Sequence, residues 1–219
     1  MVIRDTPCLA AIRTSDPVRG TVAQSPPMPL PSLSATERQG LLALAREAIR
    51  AAVDRREPVV LQPLPAAWQA PAACFVTLHL AGQLRGCIGT LTPREPLWKA
   101  VLRYARAAAF EDHRFSPVTA EELDALHVEI SRLTEPIPLE APTPEALLQA
   151  LVPGRDGVIL QGPRPGGGSF QATFLPQVWA QLPQAEAFLD HLSRKAGCPG
   201  LWRQADTTVL TYLVEAFEE

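Results

Sequence analysis

Between Leu84 and Leu91 the chain reads Leu-Arg-Gly-Cys-Ile-Gly-Thr-Leu, and two of these residues can do chemistry together: the thiol of Cys87 and the guanidinium of Arg85. Alternate side chains of a strand share a face, so Arg85 and Cys87 point one way and Leu84, Gly86 and Ile88 the other. A thiol acts as nucleophile or base only as its thiolate, and a neighbouring cation lowers its pKa toward neutrality. Gly86 and Gly89 carry no side chains, which lets a ligand or another backbone come close. Cysteine is also among the most buried residue types, and a glycine-flanked strand lying under a helix would read the same.

The run Cys74 to Leu80 alternates as well, and Ala81-Gly82 marks a hairpin between the two. A three-residue loop, Ala81 to Gln83, keeps Val76, Leu78 and Leu80 on the apolar face and sets Thr77 and His79 beside Arg85 and Cys87. A two-residue loop would mix charge into the apolar face, so the pattern selects the longer loop. The expected site is therefore Thr77, His79, Arg85 and Cys87, with His79 as a proton shuttle. Glu111-Asp112-His113-Arg114 forms a second polar concentration, suited to acid–base work or to holding an anion. The same loop also reads as a solvated turn whose cations favour a helix C-terminus.

The remaining candidates carry less. His191 reads as a surface residue, and Gly166-Gly167-Gly168 lacks the lysine and hydroxyl ending of a phosphate loop. Cys8, Cys74, Cys87 and Cys198 lie far apart without C-x-x-C spacing, so no disulfide framework or metal site is expected, and no cofactor is indicated.

The elements that must position these groups follow from caps and periodicity. Ser34-Ala35-Thr36-Glu37 is a capping box, and apolar residues from Leu41 to Val53 recur at helical spacing to about Arg56. Thr92-Pro93-Arg94-Glu95 opens a helix through Ala108. Thr119 caps a short helix to about Leu126, and His127 to Thr134 is a strand. A helix runs from Thr143-Pro144 to Leu151, Gly157 to Gln161 and Ser169 to Leu175 are strands, Gln184 to Ala196 is a helix closed by Gly197, and Thr207 to Val214 is a final strand. The irregular alternation with a clear hairpin predicts an α+β fold with a mostly antiparallel sheet flanked by helices. Residues 1–33 lack either period and end in a proline-rich run, which predicts a disordered leader before a domain over 34–219. Met28 offers an alternative start.

The chain has 219 residues, 20 basic and 23 acidic, for a formal charge of -3. The basic residues are scattered, which argues against nucleic-acid binding. No apolar run approaches the roughly 18 residues that span a bilayer, and no signal peptide is evident, so a cytoplasmic protein is expected.

Several runs are similar to the AMMECR domain family, known in bacteria as system protein A of the AmmeMemoRadiSam set: LRGCIGTL at 84–91, AAFEDHRFSPVTAEEL at 108–123, VEISRLTEPIPL at 128–139, GRDGVIL at 154–160, ATFLPQVW at 172–179 and FLDHLSRKAG at 188–197. The resemblance implies an α+β fold with a smaller subdomain and a cleft between the two beside the LRGCIG strand. It implies association with a Memo-like protein and a radical S-adenosylmethionine enzyme. Leu84 to Thr90 match the family signature, which adds Thr90 to the substrate-binding set, and Asp112, Arg114 and Phe115 match its Asp-Pro-Arg-Phe loop. His113 replaces the loop's proline, and Arg132 replaces an apolar residue.

The leading expectation is an enzyme acting on a small polar metabolite. Cys87 would be thiolate nucleophile or base, Arg85 its electrostatic partner, and Asp112 with Arg114 a second wall; an aldol-type carbon–carbon bond formation is the suggested reaction. The alternative is a non-catalytic adaptor or metabolite- or protein-binding module using the same surface, with Trp68 and Trp98 as exposed aromatics.

Overall fold

The computed structural model describes residues 31–60 and 62–219, so the expected leader lies almost wholly outside the described residues. The chain forms two compact units. The first runs to Leu133 and resumes at Glu215–Glu219; the second includes Thr134–Val214. The family of elements is α+β, with two four-stranded antiparallel sheets.

In the first unit, helix α1 (Ala35–Val53) starts at the expected capping box: the Glu37 amide donates to Ser34 Oγ at 3.3 Å and the Ser34 amide to Glu37 Oε2 at 2.8 Å. Its buried face carries Leu41, Leu42, Leu44, Ala45, Ala48 and Ile49. Gly40 leaves room for the indole of Trp68, since a Cβ there would lie 2.7 Å from that ring. Trp68 sits in the one-turn helix α2 (Ala66–Gln69) and is buried, which corrects the expectation that it is an exposed aromatic.

Strands β1 (Ala73–Leu80) and β2 (Gln83–Gly89) form the hairpin. Helix α3 (Leu97–Phe110) follows Pro96, and its first amide donates to Ala70 at 3.0 Å. The capping role expected of Thr92 is not seen; the Thr92 amide closes a small turn on Thr90 Oγ1 at 3.1 Å. A 3-10 turn capped by Thr119 leads to β3 (Leu126–Leu133). The sheet order is β2-β1-β3-β8, with β8 (Val214–Glu218) at the far edge. Cys74, Val76 and Leu78 of β1 and Val128 and Ile130 of β3 pack in one apolar core with α1 and α3, as a period of two requires.

Arg132 takes an apolar position on β3, where its charge is paired. Its guanidinium meets Glu215 at 2.6 Å and donates to the Pro31 carbonyl, while Arg38 reaches the other Glu215 oxygen at 2.8 Å. Glu215 also accepts from Ser32 Oγ and the Leu33 amide, each at 3.0 Å, so one carboxylate anchors the entry to α1.

The second unit holds β4 (Ile137–Pro138), α4 (Pro144–Ala150), β5 (Gly157–Pro163), β6 (Ser169–Phe174), α5 (Ala185–Lys195) and β7 (Thr208–Tyr212), with sheet order β4-β7-β5-β6. Phe188 of α5 packs edge-on against Phe174 at 5.2 Å and stacks on Trp179 at 3.8 Å. The final strand expected over Thr207 to Val214 is β7, which ends at Tyr212; after Leu213 a further strand, β8, not expected from the sequence, joins the other sheet. Among the described residues no helix is long and apolar enough to cross a membrane.

Candidate functional site

The hairpin differs from expectation at its tip. Leu80 pairs with Gln83, so the loop is two residues, Ala81 and Gly82, both at positive φ (50° and 76°), the signature of a type I′ turn. Farther along, Thr77 still faces Cys87 and Val76 faces Ile88, as a three-residue loop had implied. The two registers are reconciled by a bulge: His79 pairs with Leu84 and Leu78 with Gly86, which leaves Arg85 unpaired.

A bulge re-aims its side chain, and that of Arg85 goes to the segment after α3. Its Nε and Nη2 hold the two Glu122 oxygens at 2.7 and 3.1 Å, and Nη1 and Nη2 donate to the carbonyls of Ser116 and Pro117 at 2.8 and 3.3 Å. Glu122 also accepts the Thr119 amide at 2.8 Å. The Arg85 fork, then the Thr119 amide, hold the Glu122 carboxyl down at about 2. The guanidinium expected to flank the thiol is thus committed elsewhere, a correction that follows from the bulge.

Cys87 is fully buried, and the Thr77 hydroxyl donates to its sulfur at 3.3 Å. Asp112 binds the strand rather than the side chain: its Oδ2 accepts the Cys87 amide at 2.9 Å. That N–H points off the free edge of β2, so the carboxylate satisfies a donor the sheet cannot. Arg114 clamps the same carboxylate, with Nε to Oδ1 at 2.9 Å and Nη2 to Oδ2 at 2.6 Å. Burial pushes the Asp112 carboxyl up, but the bonds from Arg114 and the Cys87 amide outweigh it and leave its pKa lowered. The loop needs no proline: the Phe115 amide donates to the Asp112 carbonyl at 3.0 Å and the Arg114 amide to Asp112 Oδ1 at 3.2 Å.

Space beside the glycines is filled. A Cβ on Gly86 would lie 2.1 Å from the Ala108 carbonyl oxygen, so α3 rests its backbone directly on β2. One on Gly89 would lie 2.4 Å from the Cys74 carbonyl and from the Phe75 ring. Of the two approaches expected, a ligand or another backbone, Gly86 takes the second, the backbone of α3, and Gly89 lies against the Cys74 carbonyl and the Phe75 ring. Thr90 accepts the Thr92 amide and donates to its carbonyl at 3.2 Å.

Away from the helices, the sheet presents a polar face that the sequence placed only in part. Cys87, Thr77 and Glu129 occupy consecutive positions across β2, β1 and β3; Phe75 faces Ser131 and His79 faces His127. Ser131 Oγ donates to Glu129 at 3.3 Å, and His127 Nε2 lies 3.2 Å from Glu218. Thus a thiol, two hydroxyls, a carboxylate and two imidazoles share one face; Cys87, Thr77 and Ser131 are buried in it, whereas Glu129, His79 and His127 are partly exposed. Glu129, Ser131 and His127 alternate along their strand and so were legible as a face. Their alignment with Cys87 required the β1–β3 register. Among the described residues no set of three His, Cys, Asp or Glu side chains is gathered to hold a metal ion. Burial, with the charge of Glu95 adding to it, pushes the Cys74 thiol up to about 12.

The AMMECR1 family profile matches residues 42–217. A protein of Methanocaldococcus jannaschii is 36% identical over 165 residues, covering 74% of this chain and 80% of its own length. One of Thermococcus gammatolerans is 40% identical over 190 residues, covering 82% and 88%. The crystal structure of an uncharacterized protein from Pyrococcus horikoshii is similar with a TM-score of 0.78 at 35% identity, over 85% of this chain and 93% of that one.

Proposed function

The chain belongs to the AMMECR1 family, and from that premise we propose that it is a non-catalytic binding module that holds a small polar metabolite at the partly exposed His79, His127 and Glu129 of the first sheet's polar face. The signature strand is then scaffold: Arg85, Gly86, Gly89 and Asp112 fix its bulge, its contact with α3 and its free edge. The observation that carries this reading is the commitment of Arg85 to Glu122 and two carbonyls. Cys87 is also fully buried, and burial disfavours the thiolate on which thiol reactivity depends. The Memo-like protein and the radical S-adenosylmethionine enzyme implied by the resemblance would be the recipients of the bound metabolite.

A second reading keeps one observation. Thr77 donates to the Cys87 sulfur, and Glu129 is next in the same row, an arrangement that would suit a thiolate in aldol-type carbon–carbon bond formation. Iodoacetamide labelling at neutral pH, read by peptide mapping, separates the two. The binding reading expects Cys198, which is partly exposed, to label faster than Cys87. Faster labelling at Cys87 would overturn it in favour of catalysis.

A further inference from the structure

On the helical side of the first unit, α1 and α3 leave a groove of about 460 Å³ between them. Its apolar lining comes from Ala48, Ala51 and Ala52 of α1, Pro58 just beyond it, and Trp98 and Leu102 of α3. The floor is low because α1 offers only methyl groups there. Trp98 and Leu102 are half-buried against the core. Val59, next to Pro58, is 61% exposed, one of two large apolar side chains left open to solvent among the described residues.

The charge along the groove has one sign where it follows α3. That helix carries Lys99, Arg103 and Arg106, spaced so that they fall along one side, and no acidic residue from Leu97 to Phe110, in a chain whose net charge is -3. Arg103 meets Glu95 at 3.1 Å, whereas Lys99 and Arg106 make no ion pair among the described residues. The two lining carboxylates outside any ion pair among the described residues, Glu57 and Glu111, lie in the segments that follow the two helices. At about 1.5 Å per residue, α3 offers a track about 21 Å long.

We propose that this groove is the seat of an acidic amphipathic helix of a partner protein, with apolar residues at i, i+3, i+4 and i+7 over Trp98 and Leu102 and carboxylates facing Lys99 and Arg106. The site is on the opposite side of the sheet from the polar face and stands independently of the metabolite reading. Its length suits about four turns of helix. A tryptophan at the edge of an apolar floor, with Lys99 and Arg106 on the same helix, is the composition of an interface anchor, although Glu57, Glu95 and Glu111 also line the groove beside Arg56 and Arg103.

Trp98 reports on occupancy, because Trp68, Trp179 and Trp202 are all buried. The probe is a synthetic helix of about 16 residues with leucines on one face and glutamates on the rest, titrated into the full chain beside its lysine-for-glutamate counterpart. The expected result is a saturable shift of Trp98 emission with the acidic peptide, at least about tenfold weaker with the basic one. Leu102→Glu and the surface double variant Lys99→Glu/Arg106→Glu should each weaken the acidic peptide about tenfold; the second variant covers the case in which the first perturbs folding. Equal affinity for the two peptides, no binding of either, or a dimer seen by sedimentation and dissolved by Lys99→Glu/Arg106→Glu would overturn the proposal.

Discussion

Replacing Arg85 with alanine removes a bidentate bond to Glu122 and two bonds to loop carbonyls, while Glu122 keeps the Thr119 amide. The side chains are 12% and 21% exposed, between the surface case worth below about 1 kcal/mol and the buried case whose breakage costs about 3–5 kcal/mol. We therefore expect about 2–3 kcal/mol for Arg85→Ala, about 1–2 kcal/mol for Glu122→Gln, and a coupling of about 1.5 kcal/mol between them in a double-mutant cycle. Urea unfolding followed by circular dichroism supplies the values. The acid dependence has a fixed sign: a carboxyl held at about 2 stabilises the fold fully above its ordinary titration near 4.5, and that contribution is lost as pH falls toward 2. Wild type and Glu122→Gln should thus converge in that window. Alkylation of the buried Cys87, which needs local opening, should be no slower in Arg85→Ala than in wild type. A coupling below about 0.5 kcal/mol, or a slowed alkylation of Cys87, would refute the assignment of Arg85 to the loop.

Gly86→Ala should cost at least about 3 kcal/mol in the same unfolding assay, because the new methyl meets the Ala108 carbonyl and a helix backbone cannot step aside as a side chain can. Asp112→Asn should lower stability by about 2 kcal/mol and speed hydrogen exchange at the Cys87 amide. Since the Asp112 pKa is lowered, the difference from wild type should shrink as pH falls below 3.8. Ala81→Asn should raise stability by about 0.5–1 kcal/mol, because asparagine tolerates the left-handed backbone that Ala81 adopts and Asn-Gly favours a type I′ turn.

Local signals carried most of the fold. The Ser34 capping box, the hairpin at Ala81-Gly82 and Gly197 after α5 all sit where their chemistry suggests. Two misreadings had the same origin. A period of two shows which side chains share a face but is blind to a residue that leaves the ladder, so the bulge at Arg85 was absorbed into a longer loop. The run from Thr207 looks uniform because nothing local tells which sheet a strand will join, and the division at Leu213 follows from pairing with β5 on one side and β3 on the other. The candidate site shows the same limit. Thr77 and Cys87 were legible as neighbours, whereas Glu122 as the partner of Arg85, 37 residues away, and Glu129 as the neighbour of Thr77 depend on tertiary register. Arg132 stood out as a charge in an apolar pattern, and only Glu215 on β8 explains it.

That last strand has a bearing on how the molecule comes into being. The first sheet is missing an edge, and Arg132 its counter-charge, until every residue from Thr134 to Val214 has been made. At the junction the chain leaves and returns through one pair of contacts, Thr134 amide to Leu213 carbonyl at 3.0 Å and Leu213 amide to Thr134 Oγ1 at 2.9 Å. Chain entry and exit are therefore adjacent, so evolution or an engineer could lengthen, shorten or exchange the inserted piece while leaving the parent sheet's wiring intact.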